Sequence, residues 1–259
     1  MKVKKEISKE LRGRYIVKYL DKNESIGIHE ITSYCNISPV TVRRDLAELE
    51  DKGLLIRTHG GAIKPGNQVN LFDFDYKTLK NREEKIEICR RAAFFIKENE
   101  TIYLDCGSTV FYMARYLKKM NNVRIITNSL PVVSELIQYP KIRIYLIGGE
   151  LDNSRKALYG PMTENLLERY KADKAFIGAG GVSLAKGLSS IDEKEASITR
   201  KMAESATQVF LLCDSTKLEK DTYFNYSSLS KVTCLITDRN ADTDIINLYK
   251  KNNINILTC

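Results

Sequence analysis

Apolar positions recur in two rhythms along this 259-residue chain, and the change of rhythm divides it. Between Lys9 and Leu20, residues Leu11, Tyr15, Ile16, Tyr19 and Leu20 return every three to five positions, the spacing of one face of an amphipathic helix. After the turn-prone stretch Asp21 to Gly27, residues Ile28, Ile31, Tyr34 and Cys35 fall on one side of a short second helix. A third helix opens at Ser38-Pro39: the serine accepts from the free N–H groups of the first turn, and proline lacks only a donor that is not needed there. Val42, Leu46 and Leu49 share the face that docks on the first two helices, and Gly53 is placed to end the third. Leu54 to His59 reads as a strand leading into Gly60-Gly61, the turn of a small hairpin. Three helices and a hairpin make a winged helix-turn-helix over residues 1–63.

Residues 64–81 show no clear period and read as a linker. From residue 82 to 259 helical runs alternate with short apolar strands: Arg82 to Lys97 before Thr101–Asp105, Val110 to Lys119 before Val123–Thr127, and Leu130 to Gln138 before Ile142–Ile147. Ala175–Ile177, Val209–Leu212 and Thr233–Ile236 continue the series. The alternation predicts an α/β domain with a mainly parallel sheet, and ligands of such sheets bind beyond the carboxyl ends of the strands.

Composition narrows the function classes. Apolar residues are 43% and charged residues 29% of the chain, ordinary for a globular protein. No apolar run approaches the roughly 20 residues that cross a bilayer, and no apolar segment follows the charged start, so the expected compartment is the cytoplasm with no membrane partner. The six cysteines show no metal-ligand or disulfide-framework spacing and read as reduced thiols; neither a metal nor a cofactor is expected. The two histidines, His29 and His59, both lie in the first quarter, which leaves the α/β half without a Ser-His-Asp or Cys-His system. The net charge of +8 is denser in residues 1–64, and favours an anionic partner.

That partner is read as double-stranded DNA. Pro39, Val40, Thr41, Arg43 and Arg44 gather at or beside the outward face of the third helix's first turns, where a recognition helix meets base edges, and Arg57 and His59 of the hairpin would lie near the phosphates. The run Thr41-Val42-Arg43-Arg44-Asp45-Leu46, then Leu49-Glu50, Gly53, Leu55, Arg57 and His59-Gly60-Gly61-Ala62, resembles the N-terminal signature of the DeoR family of transcription regulators. The resemblance implies operator binding, with Arg43 and Arg44 the foremost contacts; Asp45 is read as orienting an arginine rather than touching DNA.

In the α/β half, small polar tips follow five strands: Asp105-Cys106-Gly107-Ser108-Thr109, Thr127-Asn128-Ser129, Gly148-Gly149, Gly178-Ala179-Gly180-Gly181 and Asp214-Ser215-Thr216-Lys217. Backbone N–H groups, hydroxyls and a lysine at such places suit a phosphate. Residues from about Glu84 to Thr237 also resemble the DeoR-family sensor domain, related to sugar-phosphate isomerases of the ribose-5-phosphate type. That resemblance implies that Asp105, Gly107, Ser108 and Thr109 form a phosphate-side loop, that Thr127, Asn128 and Ser129 line the pocket, and that Lys217 meets the anion. Glu193 matches an acidic position of the family and is a candidate for sugar hydroxyls, against a plain helix-start acid. Cys106 stands where the family often has serine, and Thr216 replaces a frequent serine. Ile177 to Gly181 looks like the isomerase segment that carries acidic catalytic residues, yet holds no carboxylate, so the pocket reads as a sensor with no catalytic residue. The expected protein is a regulator of sugar-metabolism genes, acting as a repressor and working as a homo-oligomer under a phosphorylated sugar effector; the alternative is an isomerase-like enzyme fused to a DNA-binding module.

Overall fold

The structure is a computed structural model that describes residues 8–23, 25–52, 54–58, 60–64 and 74–259. It falls into two compact units, Met1–Leu71 and Phe72–Cys259. Gly53 and His59 lie outside the described residues.

The first unit holds helices α1 (Lys9–Lys22), α2 (Ile28–Cys35) and α3 (Pro39–Asp51), with strands β1 (Ser25–Gly27), β2 (Ile56–Thr58) and β3 (Gly61–Ile63) in an antiparallel sheet ordered β1-β3-β2. The wing thus gains a strand, β1, from a segment that reads as a turn: three residues are too few to show a period and are held by pairing with β3. Their approach explains a glycine, because a Cβ on Gly61 would stand 1.9 Å from the Ile26 carbonyl oxygen. The core joins Ile16, Leu20, Ile31, Cys35, Val42 and Leu46 from all three helices. Two expected core positions differ. Leu11 is exposed, and its neighbour Arg12 is buried in its stead; Tyr34 is also exposed, with its ring stacked on Tyr15 at 3.8 Å.

The second unit begins with α4 (Phe74–Leu79) and α5 (Arg82–Ala93). The first of these replaces the end of the linker expected over 64–81, of which residues 65–73 lie outside the described residues: Phe74 is buried against Phe111, and its N–H donates to the Ser154 carbonyl at 2.9 Å, so a single turn and a half of helix is docked by one aromatic anchor. Then come β4 (Thr101–Leu104), a 3-10 turn at Val110–Met113, α6 (Ala114–Leu117), β5 (Arg124–Thr127), α7 (Leu130–Leu136) and β6 (Arg143–Leu146). A small antiparallel pair follows, β7 (Glu150–Asp152) and β8 (Ala157–Tyr159), with α8 (Pro161–Glu168) and β9 (Ala172–Ile177) after it. The remainder is β10 (Gly181–Ser183), β11 (Gly187–Ser190), α9 (Glu193–Glu204), β12 (Ala206–Leu212), β13 (Phe224–Ser227), β14 (Cys234–Thr237), α10 (Thr243–Lys251) and β15 (Ile256–Thr258).

Seven strands form one sheet, ordered β15-β14-β12-β9-β4-β5-β6, and every neighbouring pair is parallel. Alternate residues feed two apolar cores, one on each face: Tyr103, Ala175, Ile177 and Leu211 on one, Ile102, Leu104, Phe176 and Phe210 on the other. Strands β10, β11 and β13 make a separate antiparallel sheet. The order sets the site. From β4 the chain winds outward through β5 to β6, then returns to β9 on the other side of β4 and winds outward through β12, β14 and β15. The topological switch point lies between β4 and β9, and the crevice beyond their carboxyl ends is where such a sheet binds ligands.

Candidate functional site

The outward side of α3 follows from the phase of its buried residues. Val42, Asp45, Leu46 and Leu49 point inward, leaving Pro39, Val40, Arg43 and Arg44 exposed and Thr41 half-buried. Ser38 fixes the first turn, its Oγ accepting the Thr41 N–H at 3.2 Å and lying 3.0 Å from the Thr41 hydroxyl. Val40 is 71% exposed, an apolar group left in water beside two arginines; a methyl-bearing base edge in a major groove is a matching surface. Arg44 reaches only to 3.9 Å from Glu48, with 81% of its side chain in solvent. Arg57 is held differently. Its N–H and Nε donate to the two oxygens of Glu50 at 2.8 and 2.7 Å, which ties β2 to the end of α3. Asp45 does orient an arginine, but the partner is Arg12 on α1, through bonds of 2.6 and 3.0 Å.

In the second unit an open cavity, about 840 Å³ with the solvent at its mouth included, lies over the switch point. Three strand ends build its floor: Asp105 to Thr109 after β4, Gly178 to Gly180 after β9, and Cys213, Asp214, Thr216 and Lys217 after β12. A Cβ on Gly107 would lie 3.3 Å from Asp105 Oδ2, a tight approach, and in ordinary contact with Gly178 Cα at 3.8 Å, so the two loops run close together in the floor. The walls come from elsewhere. Helix α4 gives Phe74 and Lys77, the α4–α5 junction gives Lys80 and Asn81, α5 gives Lys85, the β7–β8 turn gives Arg155, and α9 gives Glu195. Asn81 turns the junction with a left-handed φ of 51° and donates from Nδ2 to Asp214 Oδ1 at 3.1 Å.

Two charges sit in opposed settings. Lys85 is almost fully buried, and Nζ donates to the Lys77 carbonyl and, at 3.0 Å, to Ser108 Oγ. Burial pulls its ammonium down to about 8, with Asp214 opposing and Lys217 and Lys77 reinforcing the shift. Asp105 accepts from the Cys106 N–H at 2.8 Å, the Gly178 N–H at 3.0 Å and the Thr199 hydroxyl at 3.3 Å. Burial, with the nearby charge of Glu195, nevertheless lifts it to about 6. Cys106 bonds the Tyr159 hydroxyl at 3.1 Å, and burial raises its thiol well above the ordinary range, which leaves it unreactive. All six cysteines are free.

Of the residues expected to meet a ligand, Asp105, Gly107, Ser108, Thr109, Gly178 and Lys217 converge on this cavity. Thr127, Asn128, Ser129, Gly148, Gly149, Gly181 and Glu193 are not in its lining. The tips of β5 and β6 are used structurally: Thr127 Oγ1 donates to the Leu104 carbonyl, Asn128 to that of Leu158, and Ser129 Oγ accepts from the Val132 N–H at the start of α7. Gly149 passes against Thr163 and Tyr159, and Gly181 lies in β10 against the Lys220 backbone. Glu193 is exposed at the start of α9; Glu195 enters the cavity in its place. The loop after Thr109 leads into a 3-10 turn and a four-residue helix, so its N–H groups and hydroxyls, not a long helix axis, are what it offers an anion. Nothing local in the sequence points to Lys77, Lys85, Arg155 and Glu195, because it does not say which helices fold over the strand ends. Among the described residues no group of three or more His, Cys, Asp or Glu side chains is placed to hold a metal ion, and no helix is long and apolar enough to cross a membrane.

A winged helix-turn-helix with exposed arginines, joined in one chain to an α/β unit with a cation-rich cavity, has the build of a transcription regulator. Comparison with known proteins gives the family. The DeoR-like helix-turn-helix domain matches residues 12–68, and the DeoR C terminal sensor domain matches residues 80–239. The chain is 33% identical to the HTH-type transcriptional repressor GlcR of Bacillus subtilis, over 93% of each chain. It is 36% identical to the lactose phosphotransferase system repressor of Staphylococcus epidermidis, over 87% of this chain and 90% of that one. It is 32% identical to the L-fucose operon activator of Haemophilus influenzae, over 88% and 91%. The chain belongs to the DeoR family of transcriptional regulators.

Proposed function

We propose that the protein represses sugar-metabolism genes in the cytoplasm: the outward face of α3 holds double-stranded operator DNA, and a phosphorylated sugar in the cavity controls that hold. One observation carries the reading. Lys85 and Ser108 are bonded to each other at the switch point, in a cavity that Lys217 also lines, so a hydroxyl and two ammonium groups border one space with loop N–H groups beside them. A phosphate would accept from both groups, giving the Lys85 ammonium an anion in place of a neutral hydroxyl. The names of the lactose and L-fucose relatives support a sugar, and two of the three relatives are named repressors.

Turnover is not part of the reading. Isomerisation needs a carboxylate able to take and return a substrate proton; residues 177–181 offer none. The cavity carboxylates are engaged: Asp105 by two backbone N–H groups and Thr199, Glu195 by Arg155 and Ser190, Asp214 by Asn81 and Thr216. One winged helix makes few base contacts, so useful specificity needs a homo-oligomer on paired half-sites.

The test is a fluorescence titration of operator duplex at several salt concentrations, with and without a panel of sugar phosphates. Operator affinity should fall with salt, fall further with one panel member, and lose that second response in Lys217→Ala. Equal binding to every duplex, or a grip that no sugar phosphate changes, overturns the proposal. Turnover of a sugar phosphate that Lys217→Ala abolishes would support the enzyme instead.

A further inference from the structure

The cavity has two chemically different walls, and the second has no role so far. Lys85, Ser108 and Lys217 belong to the side read above as the phosphate side. Arg155 and Glu195 line the cavity from the β7–β8 turn and from α9, elements that contribute nothing to that side. Arg155 Nη1 lies 3.2 Å from Glu195 Oε1, and both side chains are largely buried, at 7% and 19% exposure. Each end of the pair is anchored. The Arg155 N–H donates to Asp152 Oδ1 at 3.0 Å, which holds the turn; Glu195 Oε2 accepts the Ser190 hydroxyl at 2.7 Å, and the Glu195 N–H is capped by Asp192 at 2.8 Å. A buried ion pair held this firmly is costly to desolvate and weak evidence for stability, which directs attention to what it does to the cavity.

Its effect is on the charge balance. Among the described residues, five cationic side chains line the cavity, Lys77, Lys80, Lys85, Arg155 and Lys217, against three carboxylates, Asp105, Glu195 and Asp214. The surplus of two positive charges equals the charge of one phosphate dianion. Glu195 offsets the charge of Arg155, so the pair adds no positive charge to its wall, and each Glu195 oxygen, holding one bond from Arg155 or Ser190, keeps a lone pair for a hydroxyl. Carboxylate oxygens accept from hydroxyls and repel a second anion.

We propose that the Arg155–Glu195 pair is the specificity element of the site: it selects an effector with one phosphate and a neutral, hydroxyl-bearing remainder, and rejects bisphosphates and phosphorylated sugar acids. This rests on the cavity being the effector site. Glu195 is the selecting group, and Arg155 holds it in place.

The experiment measures binding of fructose monophosphate, fructose bisphosphate and phosphogluconate to the full-length protein by calorimetry, with inorganic phosphate and unphosphorylated fructose as controls. In the unaltered protein the monophosphate should bind tighter than either doubly anionic ligand by roughly tenfold or more, since a like charge set against a carboxylate is strongly disfavoured. Glu195→Gln, which keeps the size and the Ser190 acceptor, should erase or invert that ratio by removing the negative charge that opposes the second anion. Arg155→Gln, which keeps the carboxylate, should widen the ratio, and serves on its own if Glu195→Gln does not fold. If no phosphorylated ligand binds the unaltered protein, the effector reading itself fails. If ligands bind but the doubly anionic ones bind as well as the monophosphate, or the ratio survives Glu195→Gln unchanged, the selector is wrong while the effector site stands.

Discussion

Arg12 and Asp45 form a buried, two-bond ion pair that fastens α1 to the middle of α3, with Nε and Nη2 at 2.6 and 3.0 Å from the two carboxylate oxygens. Asp45 follows Arg44 about 100° further round the same helix, on its buried side, so the orientation of the exposed arginines depends on the pair. Removing one partner leaves an uncompensated buried charge, a loss of about 3–5 kcal/mol in comparable pairs. Asp45→Ala should therefore lower the melting temperature of the first unit and weaken operator binding. Replacing both partners at once with leucine and methionine should restore much of the stability, because desolvation of both charges is then relieved. Calorimetry of the single and double variants checks this; a double variant no better than the single would show that the pair is not what binds the two helices.

Arg57, a candidate for the DNA backbone, has its Nε and N–H bonded to Glu50. Arg43 and Arg44 have no such tether on the outward face. Arg43→Ala or Arg44→Ala should cost roughly ten- to a hundredfold in affinity if they read bases, with altered preference among operator variants. Arg57→Ala should weaken all duplexes alike and change the wing's position, and Glu50→Gln should reproduce part of that effect although it removes a negative charge. Parallel binding curves on matched and mismatched duplexes separate the cases: a gain in affinity for Glu50→Gln would show that Arg57 is released to phosphate rather than misplaced.

How far the sequence reads depends on whether the deciding contact is local. The phase of α3 follows from Val42, Leu46 and Leu49, and the helix-strand alternation announces the parallel sheet without help from distant residues. Hydrophobicity favours Leu11 over Arg12 for the inward position, but the helix is turned by an acid 33 positions away. Glu193 and Glu195 are two steps apart on α9, nearly opposite in direction, so naming the right acid needs the helix phase, which its strand neighbours fix. Five polar strand tips look equivalent in sequence. Only those after β4, β9 and β12 meet, because strand order puts these three side by side and the β7–β8 pair occupies the ends of β5 and β6.

Lys85 makes effector binding sensitive to alkaline pH. Its ammonium titrates at about 8 in the folded chain against 10.5 for an ordinary lysine, chiefly because it is buried. A phosphate beside it favours the charged form, so the complex binds more protons than the free protein near that pH. Affinity is therefore full below about 8 and falls as pH rises through it, by up to about tenfold per pH unit for one proton; phosphate's own titration near pH 6 lies below this window. The unliganded fold has the opposite dependence. Unfolding lets Lys85 bind its proton more tightly, so stability rises as pH climbs from about 8 to 10.5. Lys85→Met should keep or raise the melting temperature at neutral pH while abolishing the effector response. A flat effector affinity across roughly pH 7 to 9.5 would remove Lys85 from the phosphate side.

Gly149 and Gly107 both follow strands, yet alanine should act differently at each. At Gly149 a Cβ would stand 2.1 Å from Thr163 Oγ1 and 2.4 Å from the Tyr159 carbonyl, and Thr163 is itself committed to the Gly148 carbonyl at 2.8 Å. The backbone cannot yield without breaking that bond, so Gly149→Ala should destabilise the second unit by about 1–3 kcal/mol, the usual cost of overpacking. Effector affinity of the protein that remains folded should be unchanged, since Gly149 does not line the cavity. At Gly107 the added methyl meets Asp105 Oδ2 at 3.3 Å and otherwise stands in the floor of the cavity, beside Ser108. Gly107→Ala should thus cost little in melting temperature and much in effector affinity. Thermal denaturation and calorimetric titration of both variants decide the matter: a lost effector response in stable Gly149→Ala protein would return the β6 tip to the binding site, and an unaffected Gly107→Ala would move the phosphate away from the β4 loop.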